Sequence, residues 1–169
     1  TSALLYDFHP STLATPILCG CIIAMTRGWR LLFWILVAVL LTSKENAVLA
    51  LLGLSIYAAL CLHQQKLALT LLAVAVGAAI FIFGFFMPFF QEAEWHRVSR
   101  LGPFSQIPDK LLYLLLLIMP LGFLPLFAWR HLFAALPLIA LNLSVNYAPQ
   151  FSSFFQYDDF ASVFLLVAS

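Results

Sequence analysis

The sequence predicts an all-α fold, a polytopic transmembrane helix bundle whose helices are in part short or broken. Three observations support this prediction. The 169 residues are 64% hydrophobic and 9% charged, with a mean hydropathy of +1.03, whereas soluble domains are about 45–50% apolar and about 25% charged. Apolar runs long enough to form helices follow one another along the chain. Short polar turns that contain Arg or Lys separate several of those runs.

The predicted helices form a single domain over residues 1–169, with an outer loop at 91–110. A spanning helix needs about 20 apolar residues to cross about 30 Å of hydrocarbon, and some of the runs are shorter. The chain starts without Met and stops inside an apolar run, so we expect a fragment of a longer polytopic protein. The approximate helix ranges are 11–26, 31–43, 46–62, 67–90, 111–129, 131–143 and 158–169.

The Lys44-Glu45 pair interrupts one of the most apolar stretches of the chain, Leu31 to Leu62. A charge at the centre of a bilayer costs about 2.5–3.5 kcal/mol on insertion scales, so such residues mark a helix end, a polar cavity or a functional site. One arrangement is a single helix about 48 Å long. The other is a hairpin of two shorter helices with the charged pair at its tip. The hairpin is favoured, because it lets both charges reach an interface or a wet cavity.

The hairpin also gives a consistent distribution of charge across the membrane. The basic turns at 27–30, 63–66 and 130–131 then share one face, which the positive-inside rule places in the cytoplasm. Every acidic residue lies on the opposite, extracytoplasmic face, although Arg97, Arg100 and Lys110 lie there too. We therefore expect a multi-pass protein of the cell membrane with an acidic outer face.

Four residues near the outer face are candidates for a site: Asp7, His9, Lys44 and Glu45. Asp7 and His9 are two positions apart, so an extended segment would point both to one side, towards a cation or a phosphate. A helix-start carboxylate and an interfacial histidine are the simpler interpretation. Lys44 and Glu45 do not face each other on a helix, so Lys44 would suit a phosphate and Glu45 an Arg, a His or a metal. A structural hairpin tip remains the alternative for that pair.

Metal and nucleic-acid sites receive little support from the sequence. Glu92, Glu94 and His96 alternate, so an extended loop would align them as ligands for a divalent cation, although a solvated loop is the favoured interpretation. The net charge of +1 gives no basic footprint for a nucleic-acid partner. No Gly-rich phosphate-binding motif is present in the sequence. The sequence names no cofactor, and a divalent cation is the one cofactor that the pattern would fit.

Several segments together resemble the DUF2079 family of predicted bacterial and archaeal membrane proteins. The stretch YDFHPSTLATP at 6–16 resembles a motif of that family, and LLTSKENA at 40–47 is similar to a second one. MPLGFLPL at 119–126, ALP at 135–137, LNLS at 141–144 and the end of the chain at 156–168 follow in the family's order. Asn46 and Gln156 depart from it, standing where Asp and His are expected.

That family is similar to the GT-C superfamily of glycosyltransferases, which use polyprenyl-phosphate-linked sugars. The resemblance implies a GT-C-like, membrane-embedded enzyme of the prokaryotic plasma membrane that transfers a sugar on the extracytoplasmic face. Its partners would be the lipid bilayer and a lipid-linked sugar donor. Asp7 and Glu45 would then be catalytic, and Lys44 and His9 would bind phosphate.

The resemblance also bears on the catalytic base and on a metal, and it leaves other functions open. The catalytic base of such enzymes lies in a first outer loop, which would come before this chain. A metal would be held by some of Asp7, His9, Glu92, Glu94 and His96. The alternatives to an enzyme are a transporter or lipid-handling membrane protein and a non-catalytic membrane assembly protein.

Overall fold

The computed structural model describes residues 10–43, 46–86, 107–119, 127–144 and 163–165. Within these ranges every regular element is helical, which confirms the predicted all-α fold class. The π-helical segment Ile82–Phe86 continues the fourth helix, and residues 163–165 are helical as well. The α-helices are α1 Pro10–Arg27, α2 Arg30–Ser43, α3 Ala47–Leu60, α4 Gln65–Phe81, α5 Ile107–Ile118 and α6 Trp129–Ser144.

The start of α5 differs from the sequence-based expectation. The outer loop was expected to extend to residue 110, but α5 begins at Ile107. Pro108 at the second helical position and Asp109 in the first turn explain the earlier start. Proline loses nothing where the backbone N–H has no partner in the helix, and a carboxylate is favoured at the positive end of the helix dipole. Lys110 is therefore a helical residue.

The break between α2 and α3 produces two separate helices in the stretch that includes Leu31 to Leu62. α2 ends at Ser43 and α3 begins at Ala47. Lys44 and Glu45 themselves lie outside the described residues. The two-helix arrangement, and not a single continuous helix, is therefore the one in the structure.

The basic turns lie together at one end of the bundle. Gly28 and Arg30, at the junction of α1 and α2, line one shared cavity with residues 63–66, at the junction of α3 and α4. The ring of Tyr57, near the end of α3, lies 5.6 Å from the ring of His131 at the start of α6. Burial raises the pKa of the Cys61 thiol, and the nearby positive charge of Arg130 offsets that rise only in part. We call this end, formed by the turns at 27–30, 63–66 and 130–131, the basic end.

Helix α3 is the central helix of the described bundle. It packs against α4 on one side and α6 on another, while α1 packs against α2. Small residues make this position attainable, because Ala47, Ala50, Gly53 and Ala58 let neighbouring backbones approach closely. The α3–α4 pair also shares a buried hydrogen bond, in which Ser55 Oγ donates to the carbonyl oxygen of Ala68 at 2.8 Å.

Gly53 is a point of close approach between α3 and α6. A Cβ atom built on Gly53 would lie 2.5 Å from the carbonyl oxygen of Ala134 and 2.8 Å from the ring of Phe164. Real side chains essentially never come so near, so position 53 requires a residue without Cβ. Together with the contact between Tyr57 and His131, this approach fixes α3 and α6 as antiparallel neighbours.

We predict that Gly53→Ala destabilises the full-length protein by about 1–3 kcal/mol, because the added methyl overpacks the α3–α6 contact. The matched control is Gly77→Ala in α4, where nothing lies within 4 Å of the added Cβ and alanine favours the helix. Thermal unfolding in detergent, followed by the loss of monodisperse protein, measures both variants. A Gly53→Ala variant as stable as Gly77→Ala would contradict the close approach.

Candidate functional site

The polarity of α5 is inverted relative to a helix on the surface of a soluble protein. Leu111, Leu112 and Leu115 are exposed, whereas Lys110 and Tyr113 are buried. In water this arrangement would expose apolar side chains and desolvate a cation, and both changes cost free energy. In a bilayer the same arrangement is favourable, because leucine faces the acyl chains while the polar groups face the bundle interior.

Lys110 and Tyr113 on α5 and Asn142 on α6 are buried polar residues, and we call these three the polar cluster. Their exposed fractions are 5%, 2% and 2%. Asn142 Nδ2 donates a hydrogen bond of 3.1 Å to Tyr113 Oη. Lys110 precedes Tyr113 by three positions, which places both side chains on the same face of α5. Lys110 makes an interaction within the structure, as expected for a charge buried this deeply.

The register of α3 and α6 places the polar cluster far from the basic end. Gly53 lies beside Ala134 and Tyr57 lies beside His131, so α3 and α6 run antiparallel. Asn142 lies eight residues beyond Ala134, which corresponds to about 12 Å along the helix. It therefore reaches the level of the first turn of α3. The polar cluster and the basic end lie at opposite ends of the bundle.

The site residues predicted from the sequence lie outside the described residues. These are Asp7, His9, Lys44, Glu45, Glu92, Glu94 and His96. Their roles in catalysis, phosphate binding or metal binding stay predictions. The described chain resumes directly after Lys44-Glu45 with Asn46, which precedes α3 at the same end of the bundle as the polar cluster.

Sequence analysis did not identify the polar cluster. Lys110 was expected at the end of the outer loop, and Asn142 was noted only within the segment at 141–144 that resembles the family. The available signal was the spacing of Lys110 and Tyr113 at the start of an otherwise leucine-rich helix. A polar pair three residues apart in an apolar helix indicates a face turned towards protein and away from lipid.

The described part of the chain contains no group of three His, Cys, Asp or Glu side chains placed to hold a metal ion. The polar cluster itself offers an ammonium, a phenol and an amide, which suit an anion or a hydroxyl-rich ligand better than a metal cation. A phosphate or a sugar hydroxyl is the chemical class that fits such donors.

Two further features indicate a membrane environment. The segment Gln65–Phe86, 22 residues long with a mean hydropathy of 2.5, is the described helix that is long and apolar enough to cross a bilayer. Its outward side chains include Leu69, Ile80 and Phe85, each more than half exposed. An apolar exterior around an apolar interior is the pattern of a protein whose solvent is lipid.

A family model described as predicted membrane protein (DUF2079) matches residues 1–169. The chain belongs to the DUF2079 family. This match confirms the resemblance drawn from the six sequence segments. Comparisons with curated proteins and with solved structures gave no match. The match places the chain in a family of predicted membrane proteins, and its activity must be argued from its own residues.

We predict a favourable coupling between Tyr113 and Asn142 of about 1 kcal/mol, the net contribution typical of one hydrogen bond. A double-mutant cycle of Tyr113→Phe, Asn142→Leu and the double variant measures it through unfolding of the full-length protein in detergent. The second mutation should cost less once the first has removed the hydrogen bond. Strictly additive losses would contradict the cluster.

Proposed function

We propose that this DUF2079 chain is part of a membrane-embedded, glycosyltransferase-like protein that binds a polyprenyl-phosphate-linked sugar on the extracytoplasmic face. The observation that supports the proposal most directly is the buried polar cluster of Lys110, Tyr113 and Asn142. An ionisable residue inside a membrane bundle is expensive and is by default a site for a substrate or an ion.

Helix lengths give the polar cluster a depth in the membrane. Helices α2 and α3 have 14 residues each and reach about 21 Å from the basic end. The 22-residue segment Gln65–Phe86 begins at the same end and reaches about 33 Å. The first turn of α3, and with it the polar cluster, would then lie about 10 Å short of the opposite membrane surface. A polar group at that depth must be satisfied by protein partners, water or a ligand.

Charge supports an orientation for the polar cluster. The basic end carries Arg27, Arg30, Lys66 and Arg130, and short basic turns favour the cytoplasmic side. The polar cluster at the opposite end would then open towards the extracytoplasmic face of the prokaryotic plasma membrane. A multi-pass topology follows from the same assignment.

The chemistry of the transfer assigns a role to each proposed residue. Lys110 and Lys44 would bind the donor phosphate, whose charge grows as the bond to the sugar breaks. Asp7 and His9 would bind a divalent cation or the same phosphate, with Glu92, Glu94 and His96 as further candidate ligands. Glu45 would orient these groups. A carboxylate elsewhere in the full protein would deprotonate the acceptor hydroxyl.

The second candidate function is transport of a lipid or another substrate without chemistry. The observation that favours it is the shortness of α2 and α3, since apolar helices that stop inside the membrane are a feature of many transporters. The two functions differ in the fate of the glycosidic bond, which is cleaved by a transferase and left intact by a transporter.

We predict that Lys110→Met lowers sugar transfer at least about 100-fold, as expected when one donor to the departing phosphate is removed. Asp7→Asn and Glu45→Gln should also abolish transfer. The assay uses the full-length protein in proteoliposomes with a panel of polyprenyl phosphates that carry radiolabelled hexoses or pentoses. Released polyprenyl phosphate and labelled acceptor are both measured, and protein amount is matched by quantitative blotting.

The control for these variants is Arg27→Gln, which removes one charge at the basic end and should retain transfer. Wild-type turnover in both Asp7→Asn and Glu45→Gln would exclude their catalytic assignment. Movement of an intact labelled donor to the other leaflet, with no cleavage, would replace the transferase by the transporter.

A further inference from the structure

A second site, independent of the proposed sugar transfer, is indicated by a cavity of about 770 Å³ at the basic end. The cavity lies between the α1–α2 turn and the α3–α4 turn. Its volume falls in the range of about 300–1,000 Å³ that is typical of small-molecule sites. The polar cluster is at the other end of the bundle, so this cavity does not belong to it.

The polar wall of the cavity is cationic. Arg30 from the start of α2 and Lys66 from the first turn of α4 both line it. Among the described residues that form its wall, none is acidic. The first turn of α4 adds backbone N–H groups that have no partner within the helix, and the helix dipole favours an anion there. The wall is thus suited to a phosphate.

The base of the cavity is apolar. Met25 and Phe33 are buried there, and Trp34 and Leu67 complete the surface. A free phosphate ion would gain no binding free energy from contact with this apolar surface. A ligand with a charged head and an apolar body would bury both parts favourably.

The exterior next to the cavity is apolar as well. Leu31 follows Arg30 directly and is 78% exposed, and Leu69 follows Lys66 by three residues and is 66% exposed. In a bilayer these side chains contact acyl chains. An acyl chain beside the bundle could therefore remain in the membrane while its head group enters between the two turns.

The α3–α4 turn has a backbone conformation that the surrounding structure must fix. His63 has a φ of 55°, in the left-handed region that is uncommon for a residue with a side chain. The backbone N–H of Gln64 closes the turn by donating to the carbonyl oxygen of Ala58 at 2.9 Å. His63 and Gln64 both line the cavity, so the constrained turn holds two further polar side chains at the phosphate wall.

We propose that this cavity binds the phosphate-bearing head group of an anionic phospholipid from the leaflet at the basic end. Arg30 and Lys66 contact the phosphate, and the apolar base receives the glycerol backbone and the first methylene groups. The cytoplasmic leaflet is the one enriched in anionic lipid, which agrees with the orientation that short basic turns favour.

The experiment measures lipid binding to the full-length protein by native mass spectrometry in detergent. Phosphatidylglycerol is titrated against phosphatidylcholine with the same acyl chains, and soluble glycerol 1-phosphate is added as a competitor. The test variant is Arg30→Gln/Lys66→Gln. The matched control is Arg27→Gln/Arg130→Gln, which removes the same charge at the same end from residues that do not line the cavity. Monodisperse elution is required of every variant.

The preference for phosphatidylglycerol should fall at least tenfold in the test variant and at most threefold in the control. Arg30→Lys/Lys66→Arg should restore binding, which separates loss of charge from loss of fold.

Equal losses in the test and control variants would overturn the site in favour of diffuse attraction between a basic surface and an anionic lipid. Full competition by millimolar glycerol 1-phosphate would assign the cavity to a soluble phosphate ester and overturn the lipid. Sugar transfer is not read in this experiment, so its outcome is separate from that of the proposed function.

Discussion

Close contact between the backbones of α3 and α6 at Gly53 sets the geometry of the described bundle. In lipid, helices gain little from burying apolar surface, since acyl chains are as apolar as leucine. Their association depends on close packing, and Gly53 allows an approach that any Cβ would prevent. That approach, together with the contact between Tyr57 and His131, sets the register of the two helices. It places His131 against Tyr57 at one end and Asn142 level with the first turn of α3 at the other.

The register also sets the surroundings of the polar cluster. Asn142 lies in the last turn of α6, where carbonyl groups lack partners within the helix. The negative end of the helix dipole therefore lies close to the hydrogen bond between Asn142 and Tyr113. Tyr113 joins the two helices through its hydrogen bond with Asn142. The polar cluster is thus held by the helix termini that the contact at Gly53 brings to this level.

The sequence predicted the fold class and the family, because both depend on features that are local or spread over the whole chain. Composition alone indicates a lipid solvent, and alternation of apolar runs with polar turns gives helices. The sequence did not predict the tertiary contacts between helices. The hydrogen bond from Ser55 to Ala68 and the burial of Lys110 depend on which helix faces which, and hydropathy along one chain does not contain that information. Lys44 and Glu45, the most informative pair in the sequence, lie outside the described residues, so their role still rests on the sequence.

The two ends of the bundle differ in how exposed their charged side chains are. At the basic end, Arg30 and Lys66 are exposed, so water or head groups solvate them and their cost is small. At the polar cluster, Lys110 is 5% exposed and must be solvated by the protein itself. A lysine that served only to keep the outer face soluble would be exposed, as Arg30 and Lys66 are at the basic end. The burial of Lys110 costs free energy unless the ammonium is paired, and Lys110 does make an interaction within the protein, to which a phosphate would add under the proposed function.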